Sequence, residues 1–175
     1  MKTNNSTRKL VLASLFAALT FVATLIHIHV PGMQTGYVNL GDTLVITSSL
    51  LLGPVYGSLA AGIGSAFTDL IHGYVVYVPA TFVIKAFMGV AAFYVYKALS
   101  KNKDSYKSYA VSLGGIIAEI IMILGYFLYE GIFIVGYSGA AVGIPGNCIQ
   151  GITGVVGTVL SLKVLNKTKI IDMIK

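Results

Sequence analysis

Asp69, Lys85, Glu119 and Glu130 each stand inside an apolar run of a 175-residue chain that is 56% hydrophobic and only 10% charged. An ionised side chain in such surroundings costs at least a few kcal/mol unless it pairs with another charge, faces a polar cavity, or does both. Asp69, in FTDLIHGY, lies near the end of one expected helix, and Lys85 lies about six residues into the next. A short turn joins the two, so the side chains come to similar depth, and the expected partner of Lys85 is Asp69. A structural ion pair and a pair that also lines a ligand cavity both fit this spacing.

Other polar groups follow helical periods. Glu119, Tyr126 and Glu130 are seven and four residues apart and share one face. Asn147, Gln150, Gly154 and Thr158 form a stripe on the next helix. Tyr37, Tyr74, Tyr77, Tyr129 and Tyr137 cluster near connections, with Asn39 in YVNLGD and His72 at a helix end. Aromatic walls with a few donors and acceptors suit a small, flat, polar heterocycle, so this chemistry is binding chemistry. The tyrosines also fit an interfacial belt, and Asn147 and Gln150 also fit hydrogen bonds between helices. The candidate substrate contacts are Tyr37, Asn39, Asp69, His72, Lys85, Glu119, Tyr126, Glu130, Asn147 and Gln150.

Catalytic and metal chemistry have little support. His27, His29 and His72 lack a Cys or carboxylate cluster at ligand spacing, and alternate residues of HIH point apart on a helix, so no metal site is expected. GxxxxGK[ST], HExxH and GxSxG are all absent, which argues against an ATPase, a zinc hydrolase or a serine hydrolase. The single cysteine, Cys148, cannot form an internal disulfide.

Positioning these groups requires membrane helices. With a mean hydropathy of +0.85 the composition departs far from that of a soluble domain. The apolar runs are near or above the roughly 18 residues of a membrane-span candidate. The expected fold is an all-α integral membrane protein, one membrane domain over residues 1–175, with helices at about 10–28, 43–53, 55–73, 79–99, 109–130 and 145–163. Asp42 is read as a cap for the short second helix, and Pro54 as its stop or as the start of the next helix. The stretch from His29 to Asp42 is read as a loop. The N-terminal run ends in HIHVPG rather than in a small-residue cleavage site, so it is read as a retained helix.

Eleven of the twelve Lys and Arg residues lie before helix 1, between helices 4 and 5, or after helix 6. The positive-inside rule then places both termini in the cytoplasm, which needs an even number of spans and favours six. The net charge of +6 is thereby a topology signal, and nucleic-acid binding is not expected. Small residues form two further faces, Ala13 and Ala17 on helix 1, and Gly57, Ala61 and Ser65 on helix 3. Either face suits close helix approach, internally or against a partner protein.

ASLFAAL, the stretch YVNLGDTLVITSSLLLGPVYGSLAAGIGSAFTDLIHGY, FVIKAFMG and PGNCIQGITG occur in an order that resembles the substrate-binding S components of energy-coupling factor (ECF) vitamin transporters, in their riboflavin-transporter-like branch. The resemblance covers about residues 8 to 165. It implies ligand capture from outside between the first loop and helices 4 to 6. It also implies docking, by Ala13 and Ala17 among others, on a transmembrane coupling subunit driven by two ATPase subunits. The chain itself would need no cofactor, ATP being used by the partners, and would reside in the bacterial cytoplasmic membrane. Pyridoxine, pyridoxal or hydroxymethylpyrimidine is the favoured ligand, with riboflavin or another vitamin open. The competing expectation is a self-sufficient carrier or channel, with Asp69, Glu119 and Lys85 as an ion relay.

Overall fold

A computed structural model describes residues 5–29, 37–100 and 107–168, with side chains described for 6–26, 39–100 and 107–168. Five helices account for nearly all of it: α1 (Asn5–Leu25), α2 (Gly41–Ile71), α3 (Val78–Leu99), α4 (Ser108–Phe133) and α5 (Gly136–Lys167). Each is long and apolar enough to cross a membrane. Leu15, Phe67, Phe87, Ile120, Leu128, Ile152 and Leu160 are exposed on the outside of the bundle, which suits hydrocarbon rather than water.

The two expected segments 43–53 and 55–73 are one helical element with a sharp break. Gly53 has φ +89 and ψ 176, a conformation open to glycine but strained for other residues, and Pro54 follows without an N–H to continue the ladder. Ser48 Oγ donates to the Gly57 carbonyl at 3.2 Å. Nine helical residues would otherwise separate these positions by about 13 Å, so the chain folds back on itself at Gly53. Gly57 permits this, because a Cβ there would overlap the backbone of Ser48 and Ser49.

Neighbouring helices pack in sequence order, α1 on α2, α2 on α3, α3 on α4 and α4 on α5, and α5 returns to α2. Val45, Ile46, Met88, Met122 and Leu162 fill the centre. A second cluster joins Ala13 and Phe16 of α1 to Leu52 and Ala60 of α2, with Ala17 packed against it. Ala13 and Ala17 therefore contribute to the α1–α2 contact.

Instead of an irregular loop, residues 27–29 and 37–39 form antiparallel strands, β1 (His27–His29) and β2 (Tyr37–Asn39), with His27 opposite Asn39 and His29 opposite Tyr37. Helix α1 accordingly ends at Leu25, short of residue 28. At the other end α5 begins at Gly136, nine residues before the expected start, and carries Pro145 inside it. The side chains of Tyr37, His27 and His29 lie outside the described residues, as do Lys2, Lys101, Lys103, Lys169 and Lys175 of the charge pattern.

Candidate functional site

Polar side chains from every helix converge on one cavity of about 80 Å³. Thr24 comes from the last turn of α1, and Asn39 from β2. Helix α2 gives Ser65 and Asp69, four residues apart on one face, and the following turn adds Tyr74 and Tyr77. Thr81 and Lys85 sit on one face of α3, Tyr126 and Glu130 on one face of α4, and Asn147 and Gln150 on one face of α5.

A buried polar network forms the inner wall. Lys85 Nζ is paired with Asp42 Oδ1. Gln150 Nε2 donates to Asp42 Oδ2 at 2.6 Å, and Gln150 Oε1 accepts from Asn39 Nδ2 at 3.1 Å. Asn39 Oδ1 in turn accepts from the Gly41 N–H at 2.8 Å, at the start of α2. One chain of hydrogen bonds thus ties β2, both ends of the Gln150 amide, and the first turn of α2 to α3. Lys85 also lies 5.7 Å from the centroid of the Tyr126 ring, within cation–π range.

The expected partner of Lys85 is thereby corrected from Asp69 to Asp42. The reason is topological: the fold-back at Gly53 and the return of α5 to α2 bring the first turn of α2 beside α3. Asp42 does not cap its helix either, since Leu40 holds the N-cap position. Asp42 occupies the first turn, where the helix dipole favours a carboxylate. Asp69 lines the same cavity at 7% exposure.

The outer rim is aromatic. Tyr74 and Tyr77 meet edge to face with centroids 6.3 Å apart, and Tyr77 meets Tyr129 at 5.8 Å. Tyr77 Oη donates to Glu130 Oε1 at 3.3 Å, and Thr81 Oγ1 and Tyr126 Oη are 3.0 Å apart. Burial and then the neighbouring Glu130 carboxylate push the Tyr77 phenol above its ordinary range, keeping it a neutral donor.

Seven of the ten expected contacts line this cavity: Asn39, Asp69, Lys85, Tyr126, Glu130, Asn147 and Gln150. His72 lies outside the lining, its ring 6.3 Å from that of Tyr74. Glu119 is buried in the α4–α5 contact, behind the wall instead of on it. Tyr37 lies outside the described side chains. Asp42 was missed because GD before an apolar run reads equally as a helix cap. Thr24, Ser65 and Thr81 were missed because a single hydroxyl in an apolar helix can bond its own backbone, another helix or a cavity, and its spacing does not say which. Among the described residues, no three His, Cys, Asp or Glu side chains are placed to hold a metal.

The family model for the ECF-type riboflavin transporter, S component, matches residues 4–167. An uncharacterised protein of Pyrococcus woesei is 32% identical over 139 residues, covering 79% of this chain and 88% of its own. The thiamine precursor transporter HmpT of Lactococcus lactis subsp. cremoris (strain MG1363) is 26% identical over 170 residues, covering 97% and 94%. A solved S component of a bacterial ECF transporter shares the fold, with a TM-score of 0.74 at 24% identity over 94% of this chain and 99% of that one. With a match spanning nearly the whole sequence, this multi-pass membrane protein belongs to the family of ECF-type riboflavin transporter S components.

Proposed function

We propose that the chain is the substrate-capture subunit of an ECF-type importer, binding a small, single-ring, water-soluble vitamin or vitamin precursor. The observation that carries this reading is the closed set of donors, acceptors and tyrosines around one small cavity inside an otherwise apolar bundle. A buried polar site of this kind is costly in a membrane unless a ligand uses it. Size favours one ring over three: an apolar cavity of about 150 Å³ accommodates benzene, and this cavity of about 80 Å³ must enlarge even for that. The similarity to a thiamine precursor transporter supports hydroxymethylpyrimidine, and pyridoxine and pyridoxal share its ring size and hydroxymethyl groups.

In this reading uptake is energised by a transmembrane coupling subunit and two ATPase subunits, which use the ATP, and the chain needs no cofactor. The reversal at Gly53 supports counting α2 as two spans, six in all, with both termini cytoplasmic. Arg8 and Lys9 at the start of α1, Lys97 at the end of α3, and Lys163 and Lys167 at the end of α5 agree with that orientation. Native mass spectrometry of gently purified protein, followed by titration calorimetry with pyridoxine, pyridoxal, hydroxymethylpyrimidine, thiamine and riboflavin, tests the proposal. A co-purified or tightly bound single-ring vitamin is expected. Folded protein that binds none of the five would overturn it.

A further inference from the structure

Glu119 is 4% exposed, and neither of its carboxyl oxygens has a hydrogen-bond partner. A carboxyl group buried this way is costly to keep, and its surroundings point to what it is kept for. It faces Gly151 and Gly154 of α5, and a Cβ on Gly154 would lie 2.5 Å from Glu119 Oε1 and 2.9 Å from Asp42 Cβ. The two acidic side chains thus meet across a single glycine. Asp42, the residue that Glu119 approaches there, is the partner of Lys85. On its other side is an apolar groove of about 440 Å³ between α4 and α5, walled by Ile120, Ile123, Ile152 and Val155, which gives a charge nothing to bind.

Lys85 lines the cavity, while Asp42 is screened from it behind Lys85 and Gln150. The ammonium has three donors on a flexible stem, and Asp42 takes one of them. The cavity of about 80 Å³ is half open and smaller than the roughly 150 Å³ that holds benzene, so seating a ring fully inside it requires a wall group to withdraw. The counter-ion of Lys85, Asp42, itself abuts a second acid, Glu119, which is absent from the cavity lining.

We propose that Glu119 is the second counter-ion of Lys85, taken up when an incoming ring displaces the ammonium and engages Asp42. Withdrawal of Lys85 toward α4 enlarges the cavity and uncovers the Asp42 carboxylate. The ligand that can profit presents N–H or O–H donors, as an aminopyrimidine or hydroxymethyl ring does. A phosphate ester would bring negative charge toward Asp42, Asp69 and Glu130, and is excluded. The choice of ring ligand rests on the functional reading above, whereas the pairing of Lys85 with two acids does not.

The test separates the two. Thermal unfolding of the full chain in detergent, without ligand, is measured for D42N, E119Q, the double variant, and the double variant carrying K85M. Each single variant leaves one of these two carboxyl groups, and the double leaves neither. The expected Tm loss of the double exceeds the sum of the singles by more than about 5 °C, with K85M recovering most of it. Additive losses would overturn the shared counter-ion. Should the double variant not accumulate in the membrane, K85M is expected to restore it, and persistent absence would equally overturn the idea. Titration with hydroxymethylpyrimidine and pyridoxine then tests the movement: E119Q is expected to weaken wild-type binding at least tenfold, and unchanged affinity would sink it. Wild-type protein that binds neither probe would overturn the ligand half together with the functional reading, while the ligand-free cycle still decides the counter-ion.

Discussion

Gln150 is the side chain on which most of the inner wall depends, because one amide serves both Asn39 and Asp42. Truncating it leaves a buried carboxylate oxygen short of a donor, at a cost of about 1.5–3 kcal/mol for a charged hydrogen bond. Gln150→Ala is therefore expected to lower both thermal stability and ligand affinity. Asn147 also lines the cavity but belongs to no such chain of bonds, so Asn147→Ala is expected to weaken binding about tenfold with near-native stability. Calorimetry and thermal unfolding of the two variants check this, and equal stability losses would refute the distinction. At the rim, the raised Tyr77 phenol fixes the sign of a pH effect. Its neutral form is favoured in the folded protein, so the stability it contributes is fully present below the unfolded value of about 10 and is lost as pH rises past it. The Tm difference between wild type and Tyr77→Phe is expected to be flat from about pH 7 to 9 and to shrink above about pH 10. A difference that instead grew in alkali would contradict this assignment. The convergence of Lys85, Tyr126, Glu130, Asn147 and Gln150 was legible in the sequence, since helical spacing puts polar residues on one face whatever the neighbours are. The partner of Lys85 was not legible. Asp69 is near it along the chain, whereas Asp42 reaches it only through contacts between α2, α3 and α5 that no local period encodes.

At the level of the helices, local chemistry spoke most clearly where it forbids continuation. Gly53 and Pro54 break the ladder where two helices were expected to separate, and the same pair produces the fold-back of α2. Nothing lies within 4 Å of a Cβ built on Gly53, so Gly53→Ala tests backbone strain alone. A non-glycine residue held at positive φ costs on the order of 1–3 kcal/mol, and thermal unfolding is expected to show a loss of that size. Gly57→Ala is expected to cost more, because its methyl overlaps the backbone of Ser48 and Ser49. The reverse order would mean that the bend is not set at Gly53. The last helix was expected from about residue 145, yet α5 starts at Gly136 and runs through Pro145. Proline tolerates helical φ, and its cost is a missing hydrogen bond rather than an obligatory stop. The small face of α1 shows a different limit, because spacing identifies a close contact without naming the partner. With Ala13 and Ala17 packed against Leu52 and Ala60, Ala13→Trp is expected to destabilise the α1–α2 contact and to lower binding and uptake together. Loss of uptake with intact binding and stability would return Ala13 to a docking role.

For the whole molecule, the decisive contrast is between holding a solute and moving it. The polar groups named above are concentrated around one small cavity, while the α4–α5 groove is walled almost entirely by apolar side chains. An ion-coupled carrier needs a polar route that opens alternately to both faces of the membrane. Here Met88, Met122, Val45 and Ile46 are fully buried in the packed centre below the site. Of the buried charges, Asp42 and Lys85 neutralise one another at the cavity wall. Proteoliposomes containing this chain alone are therefore expected to bind a single-ring vitamin but not to accumulate it, with or without a pH gradient. Addition of a coupling subunit and two ATPase subunits, with ATP, is expected to start uptake. Accumulation by the isolated chain under a pH gradient would instead identify a self-sufficient carrier, and would recast Asp69, Glu119 and Lys85 as its ion path. Binding without accumulation under every gradient means that the free energy for release must come from outside the chain, which is the division of labour that a single small polar cavity in an apolar bundle requires.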